Sequence, residues 1–147
     1  MMSYENGRFR IGAVSFILPG PVFISPEMKM EIEIGFELLD PTGRVRVTIQ
    51  GELSDDDSLT VLTEGLPADT FHRIDEVKAV SFNGVSGHQM AYYSGGKNYV
   101  ETRLDLPSVK GVNCLTIIAK CRRDELDIET LRSERIFLEL LNSIQMS

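Results

Sequence analysis

The chain has 147 residues, of which 42% are hydrophobic and 25% charged. That length suits one domain, residues 1–147, with a core that needs neither disulfide nor metal, and the composition excludes a disordered or collagen-like chain. With 15 Lys and Arg against 22 Asp and Glu, the net charge of −7 disfavours nucleic acid as a partner, because binding phosphate needs clustered cations.

Residues 1–10 are polar, with no apolar core of a signal peptide and no cysteine for lipid attachment. Phe9 to Leu18, rich in β-branched and aromatic residues, predicts a strand that ends at the turn Pro19-Gly20-Pro21. Met28, Met30, Ile32, Ile34, Phe36 and Leu38 then alternate with Lys29, Glu31, Glu33, Gly35 and Glu37, the period of a strand with one buried face. Asp40-Pro41-Thr42-Gly43 predicts a turn. Val45, Val47, Ile49, Gly51 and Leu53 alternate in a second strand. Pairing Leu39 with Arg44 keeps both apolar sets on one face, and sets Phe36 opposite Val47 and Glu37 beside Arg46.

Ser54 to Gly65 predicts a short helix, with acidic residues at its start and Gly65 at its end, although Thr60, Val61 and Thr63 would also suit a strand. Three antiparallel strands are expected next: Phe71 to Phe82, Val85 to Tyr93 and Asn98 to Leu106, joined by Asn83-Gly84 and by Ser94-Gly95-Gly96-Lys97 and stopped at Pro107. Val112 to Lys120 predicts a further strand. At the end, Ile136, Phe137, Leu140, Leu141 and Ile144 share one helical face. Ile128 and Leu131 fall off that face, which places a break near Arg132 with Ser133 as N-cap of the last helix. Cys114 and Cys121 lie on one extended segment too far apart to bridge, in no CxxC pattern and with no zinc spacing to His72 or His88. Both are expected as free thiols, in a cytoplasmic protein with no membrane span, no metal and no cofactor.

This order of elements, with Phe16-Ile17-Leu18-Pro19, Ser81-Phe82-Asn83-Gly84-Val85-Ser86-Gly87, Tyr92-Tyr93 before a Gly turn, and Leu140-Leu141-Asn142-Ser143-Ile144, resembles the PsbP-like superfamily. That superfamily includes the extrinsic photosystem proteins, the Ran-nucleotide-release factors and small bacterial proteins. The resemblance implies an α/β/α-like sandwich around an antiparallel sheet. It carries no catalytic signature and no site residues. The fold expected is therefore α+β: a mostly antiparallel twisted sheet with the C-terminal helix and a short second helix packed on it.

Catalytic patterns fail on spacing. Gly95-Gly96-Lys97 lacks the upstream Gly and following Ser or Thr of a phosphate loop. Gly84-Val85-Ser86-Gly87 lacks the spacer of a nucleophile elbow. Asp55-Asp56-Asp57 cannot converge on one cation. Opposing Tyr93 with Asn98 puts Ala91, Gln89 and Gly87 across from Val100, Thr102 and Leu104 on the more apolar face. The other face gathers Tyr92 beside Tyr99, Met90 beside Glu101, and His88 beside Arg103. Ser86, His88 and Asp105 share that face as well, but Ser86 and His88 stand at i and i+2 on one strand, nearly 7 Å apart, too far for proton transfer. No catalytic residue is assigned.

Tyr92, Tyr99, His88, Met90 and Arg103 together have the composition of a contact surface. The expected function is a non-enzymatic protein-interaction module that binds a protein partner or a second copy of itself, with no role for nucleic acid or membrane. The alternative is a small-molecule-binding domain or a small enzyme with a pocket built by the fold.

Overall fold

A computed structural model describes residues 2–20, 23–24, 35–65 and 72–147. In chain order the elements are β1 (Met2–Glu5), β2 (Arg8–Ile11), β3 (Val14–Phe16), β4 (Phe23–Ile24), β5 (Gly35–Leu39), β6 (Arg46–Glu52), α1 (Ser58–Glu64), β7 (His72–Arg73), β8 (Lys78–Phe82), β9 (Val85–Ser94), β10 (Lys97–Val109), β11 (Val112–Arg122), α2 (Ile128–Arg132), α3 (Arg135–Ser143) and β12 (Gln145–Met146). Among the described residues the strands form two antiparallel sheets, an α+β arrangement. The larger runs β4-β5-β6-β11-β10-β9-β7, with β8 also on β9; the smaller runs β1-β2-β3-β12. No described helix is long and apolar enough to cross a membrane.

Side-chain alternation gives the large sheet an inner and an outer face. The inner face carries Val47, Ile49, Ala91, Val100, Leu104, Leu115, Ile117 and Ala119, all fully buried. Over it lie the small sheet, through Ile11, Val14 and Phe16, and the helices α2 and α3, in one continuous core. α3 buries Ile136, Phe137, Leu140 and Leu141, with Ile144 just beyond its end, as the sequence predicts. The helix break also falls where expected, but Ser133 caps the end of α2, and the N-cap of α3 is Glu134 rather than Ser133. The short helix α1 is capped by Asp57, whose carboxylate accepts from the Thr60 amide, and it sits against the outer face of β9 and β10.

Register between β9 and β10 follows the expectation, with Tyr93 opposite Asn98 and Gly87 opposite Leu104. Between β5 and β6 the face is as expected but the register is shifted: Leu39 opposes Arg46, Phe36 opposes Ile49, and Glu37 opposes Thr48. The cause is Asp40. Its carboxylate accepts from the Val45 amide (3.0 Å) and the Thr42 hydroxyl (2.6 Å), which moves the loop one residue along each strand. Glu37 and Arg46 still meet, as a diagonal ion pair. The alternation over 28–34 lies outside the described residues, as does Phe71.

Three segments depart from the sequence reading. Residues 9–18 are a hairpin rather than one strand, because Gly12 at φ +58° turns the chain between Ile11 and Val14. Asn6-Gly7, both at positive φ, closes a further hairpin with β1. The strand expected to start at Phe71 divides into β7 and β8, since Asp75 between them accepts from the Ala91 amide and fills the gap in the ladder. β10 runs past Pro107 to Val109 through an irregularity after Asp105, a position where a missing amide donor is tolerated. Cys114 and Cys121 are free thiols, both buried.

Candidate binding surface

The outer face of the large sheet brings together all five residues of the expected surface, and α1 divides them. Leu62 of α1 packs on Met90 and Tyr92, which are 0% and 3% exposed and present no surface to a partner. His88, Tyr99 and Arg103 stay half-buried. Tyr92 and Tyr99 stack with ring centroids 5.0 Å apart and 13° between planes.

From Tyr92 a polar chain runs across the sheet. The Tyr92 hydroxyl donates to Glu101 Oε1 at 2.7 Å, and Arg103 Nε donates to Glu101 Oε2 at 2.8 Å. Arg103 Nη1 reaches Glu52 Oε2 at 3.3 Å. Glu101 is 3% exposed, so these two donors take the place of water on a buried carboxylate. Burial, with the Glu101 charge next to it, pushes the Tyr92 phenol far above its ordinary range. Burial opposes the charge of Arg103, but the hydrogen bond and charge of Glu101 outweigh it and hold the guanidinium pKa above its usual value. These groups are committed to one another, and Tyr92 joins them to α1 through its contact with Leu62.

Near the start of α1 a Ser–His–Asp cluster does form, through Ser58 rather than Ser86. The Ser58 amide and hydroxyl donate to Asp105 Oδ1 and Oδ2 at 2.8 and 2.6 Å, and Ser58 Oγ lies 2.8 Å from His88 Nδ1. A serine hydroxyl has one proton, and the carboxylate can only accept it, so His88 Nδ1 donates to Ser58. A nucleophilic triad needs the reverse order, with histidine between serine and carboxylate and free to take the serine proton. Ser58 is also 1% exposed. The cluster therefore anchors α1 and has no geometry for acyl transfer. The described residues hold no group of three or more His, Cys, Asp or Glu able to bind a metal.

One end of the same face is basic. A cleft of about 230 Å3 is lined by Arg44, Arg46, Lys97, Lys120 and Arg122, with Gly43, Cys121 and Glu125. Lys120 stands directly opposite Arg46 across β11 and β6, and Lys97 directly opposite Arg122 across β10 and β11. Tyr99 stands directly opposite Lys120 on its other side, across β10 and β11. Arg46 is paired with Glu37, and Arg122 with Asp124 and Glu125. Among the described residues no carboxylate pairs with Lys97 or Lys120. Sequence reasoning missed this cleft. Lys120 and Arg122 are spaced by two on β11, and Arg44 and Arg46 by two where the turn enters β6, which is a legible signal, but uniting them requires the non-sequential pairing of β6 with β11.

On the inner side of the same sheet end, Tyr93 carries His72 on one face (4.7 Å between rings) and the Arg123 guanidinium 3.9 Å from its ring centroid. An open cleft of about 610 Å3 beside it is walled by Tyr93, Asp75, Asn98, Arg123 and Arg132, among others. Protein-family models give no match to the chain, and no curated protein matches it.

Proposed function

We propose that the chain is a non-enzymatic protein-interaction module that receives its partner at the basic end of the outer sheet face. The observation that carries this reading is five cations lining one cleft of a chain whose net charge is −7. Such a patch steers an oppositely charged partner and fixes its register. β6, β11 and β10 make a rigid platform for it, and Tyr99 offers an aromatic anchor next to Lys120. Met90 and Tyr92 contribute indirectly, by seating α1. We also propose the PsbP-like kinship that the sequence suggests; in the structure α1 lies on the outer face of the large sheet and α2 and α3 over its inner face.

The test compares immobilised wild-type chain with the Lys97→Glu/Lys120→Glu variant, matched for folding by circular dichroism, for capture from a native lysate. Bound proteins should fall by about tenfold or more on the variant. The same proteins captured at equal yield would refute the reading. The cleft beside Tyr93 favours a second reading, small-molecule binding, because its size lies within the usual range for such sites. That reading expects a ligand-induced thermal shift that Tyr93→Ala abolishes.

A further inference from the structure

We infer that the basic cleft recognises a phosphate monoester carried on a side chain of the partner protein, an inference that rests on the interaction-module reading above. The cleft is lined by Arg44, Arg46, Lys97, Lys120 and Arg122 against one carboxylate, Glu125. Two of its cross-strand pairs, Lys97 with Arg122 and Lys120 with Arg46, set like charges directly opposite. Such pairs destabilise a sheet. The carboxylates at hand, Glu37, Asp124 and Glu125, engage Arg46 and Arg122 and leave the lysines uncompensated among the described residues. A compact dianion placed between the strands would relieve both repulsions at once.

Three features select a phosphorylated side chain over other anions. The cleft, about 230 Å3, is small and shares Lys97 and Arg122 with an adjoining open groove, so it suits one charged group presented on a larger partner. Arginine forks match the oxygens of a phosphate, and the lysines add point charges to a group of about −1.5 to −2. The rest of the chain is more negative than the whole, since the cleft takes five of the 15 basic residues. An extended polyanion such as a nucleic acid would be repelled as soon as it left the cleft. Binding should be linked to folding, because an anion that binds only the folded sheet stabilises it.

The probe is a fluorescent degenerate peptide library with one fixed phosphoserine. It is compared with its serine and glutamate counterparts, inorganic phosphate and a short single-stranded oligonucleotide. The phosphoserine library should bind roughly tenfold tighter than either counterpart, and Lys120→Gln or Lys97→Gln should remove about tenfold of that affinity. Each lysine variant should also melt at or above the wild-type temperature without ligand, yet gain less from the phosphopeptide. Equal binding of the serine or glutamate library, equal binding of inorganic phosphate, or tighter binding of the oligonucleotide would each overturn the assignment. So would lysine variants that melt lower and bind the phosphopeptide unchanged. Phosphatase treatment of the lysate separates the two levels. Partners lost on Lys97→Glu/Lys120→Glu but retained after phosphatase would leave the interaction reading standing and remove the phosphate; partners retained on the charge-reversed chain would remove both.

Discussion

Replacing Tyr92 with phenylalanine tests whether its hydroxyl stabilises a buried charge. The change keeps the ring, its stacking on Tyr99 and its contact with Leu62, and deletes only the hydroxyl that donates to Glu101 Oε1. Glu101 is 3% exposed, so water cannot readily take the vacated position, although Arg103 still holds Oε2. A hydrogen bond to a charged acceptor contributes about 1.5–3 kcal/mol. Tyr92→Phe should therefore lower stability by about 2 kcal/mol. For a chain of this size that moves the melting temperature by about 4–8 °C, at ~2–4 °C per kcal/mol. Urea titration followed by circular dichroism would show a lower midpoint with an unchanged slope. Tyr99→Phe, at a half-exposed position, should cost less than about 0.5 kcal/mol. In a double-mutant cycle with Glu101→Gln, the coupling should reach roughly 1 kcal/mol or more. A Tyr92→Phe chain as stable as wild type, with no coupling, would mean that the Glu101 carboxylate is hydrated and its bond to Tyr92 contributes nothing.

Leu140→Ala and Leu141→Ala, on the buried stripe of α3, should each cost about 2–5 kcal/mol, whereas Glu139→Ala should cost under about 0.5 kcal/mol, all read from urea midpoints. Gly87→Ala should destabilise by at least about 2 kcal/mol, because its new Cβ would collide with the Arg103 carbonyl oxygen across the β9–β10 ladder; a soluble variant with the wild-type melting temperature would contradict that close approach. Burial, with Glu125 nearby, pushes the Cys121 thiol from 9.0 up to about 11, so its neutral form prevails until alkaline pH. Alkylation of native Cys121 by iodoacetamide, read by peptide mass spectrometry, should keep accelerating as pH rises toward 11, whereas the urea-unfolded chain should level off near 9.

Local chemistry was the part of the fold that the sequence disclosed. Asn83-Gly84 and Gly95-Gly96 take the positive φ that a tight hairpin needs, and strand parity then sorts β9 and β10 into two faces correctly. Asn6-Gly7 carries the same signal between two short alternating runs, Met2-Ser3-Tyr4-Glu5 and Arg8-Phe9-Arg10-Ile11, so this hairpin too is legible in the residues. The β5–β6 register was out of reach of such signals. It depends on which amide the Asp40 carboxylate captures, and parity alone admits more than one answer. Parity also gathered His88, Met90, Tyr92, Tyr99 and Arg103 on one face, yet could not say that α1 lies over two of them. Leu59, Leu62 and Leu66 mark an apolar stripe without saying what it covers, and of these three Leu62 is buried, Leu59 is exposed and Leu66 lies outside the described residues. The serine that meets His88 and Asp105 comes from α1, 30 positions before the histidine, and no strand spacing points to it.

The order of the strands also sets an order of assembly. β8, β9, β10 and β11 follow one another through short turns, so each pairing closes a small loop of chain and loses little entropy. β6 joins that meander only across a long detour: Ser54 and Asn113, which bond at its end, are 59 positions apart. Arg8 and Ser143, which tie the small sheet to the end of α3, are 135 positions apart. The meander should thus gain protection from hydrogen exchange earliest during refolding, β6 later, and the small sheet with α3 last. The basic cleft draws Arg44 and Arg46 from the β6 side and Lys97, Lys120 and Arg122 from the meander. It therefore comes into being only when the slow, long-range pairing is complete, and a partner that reads it would meet only chains whose large sheet has already closed.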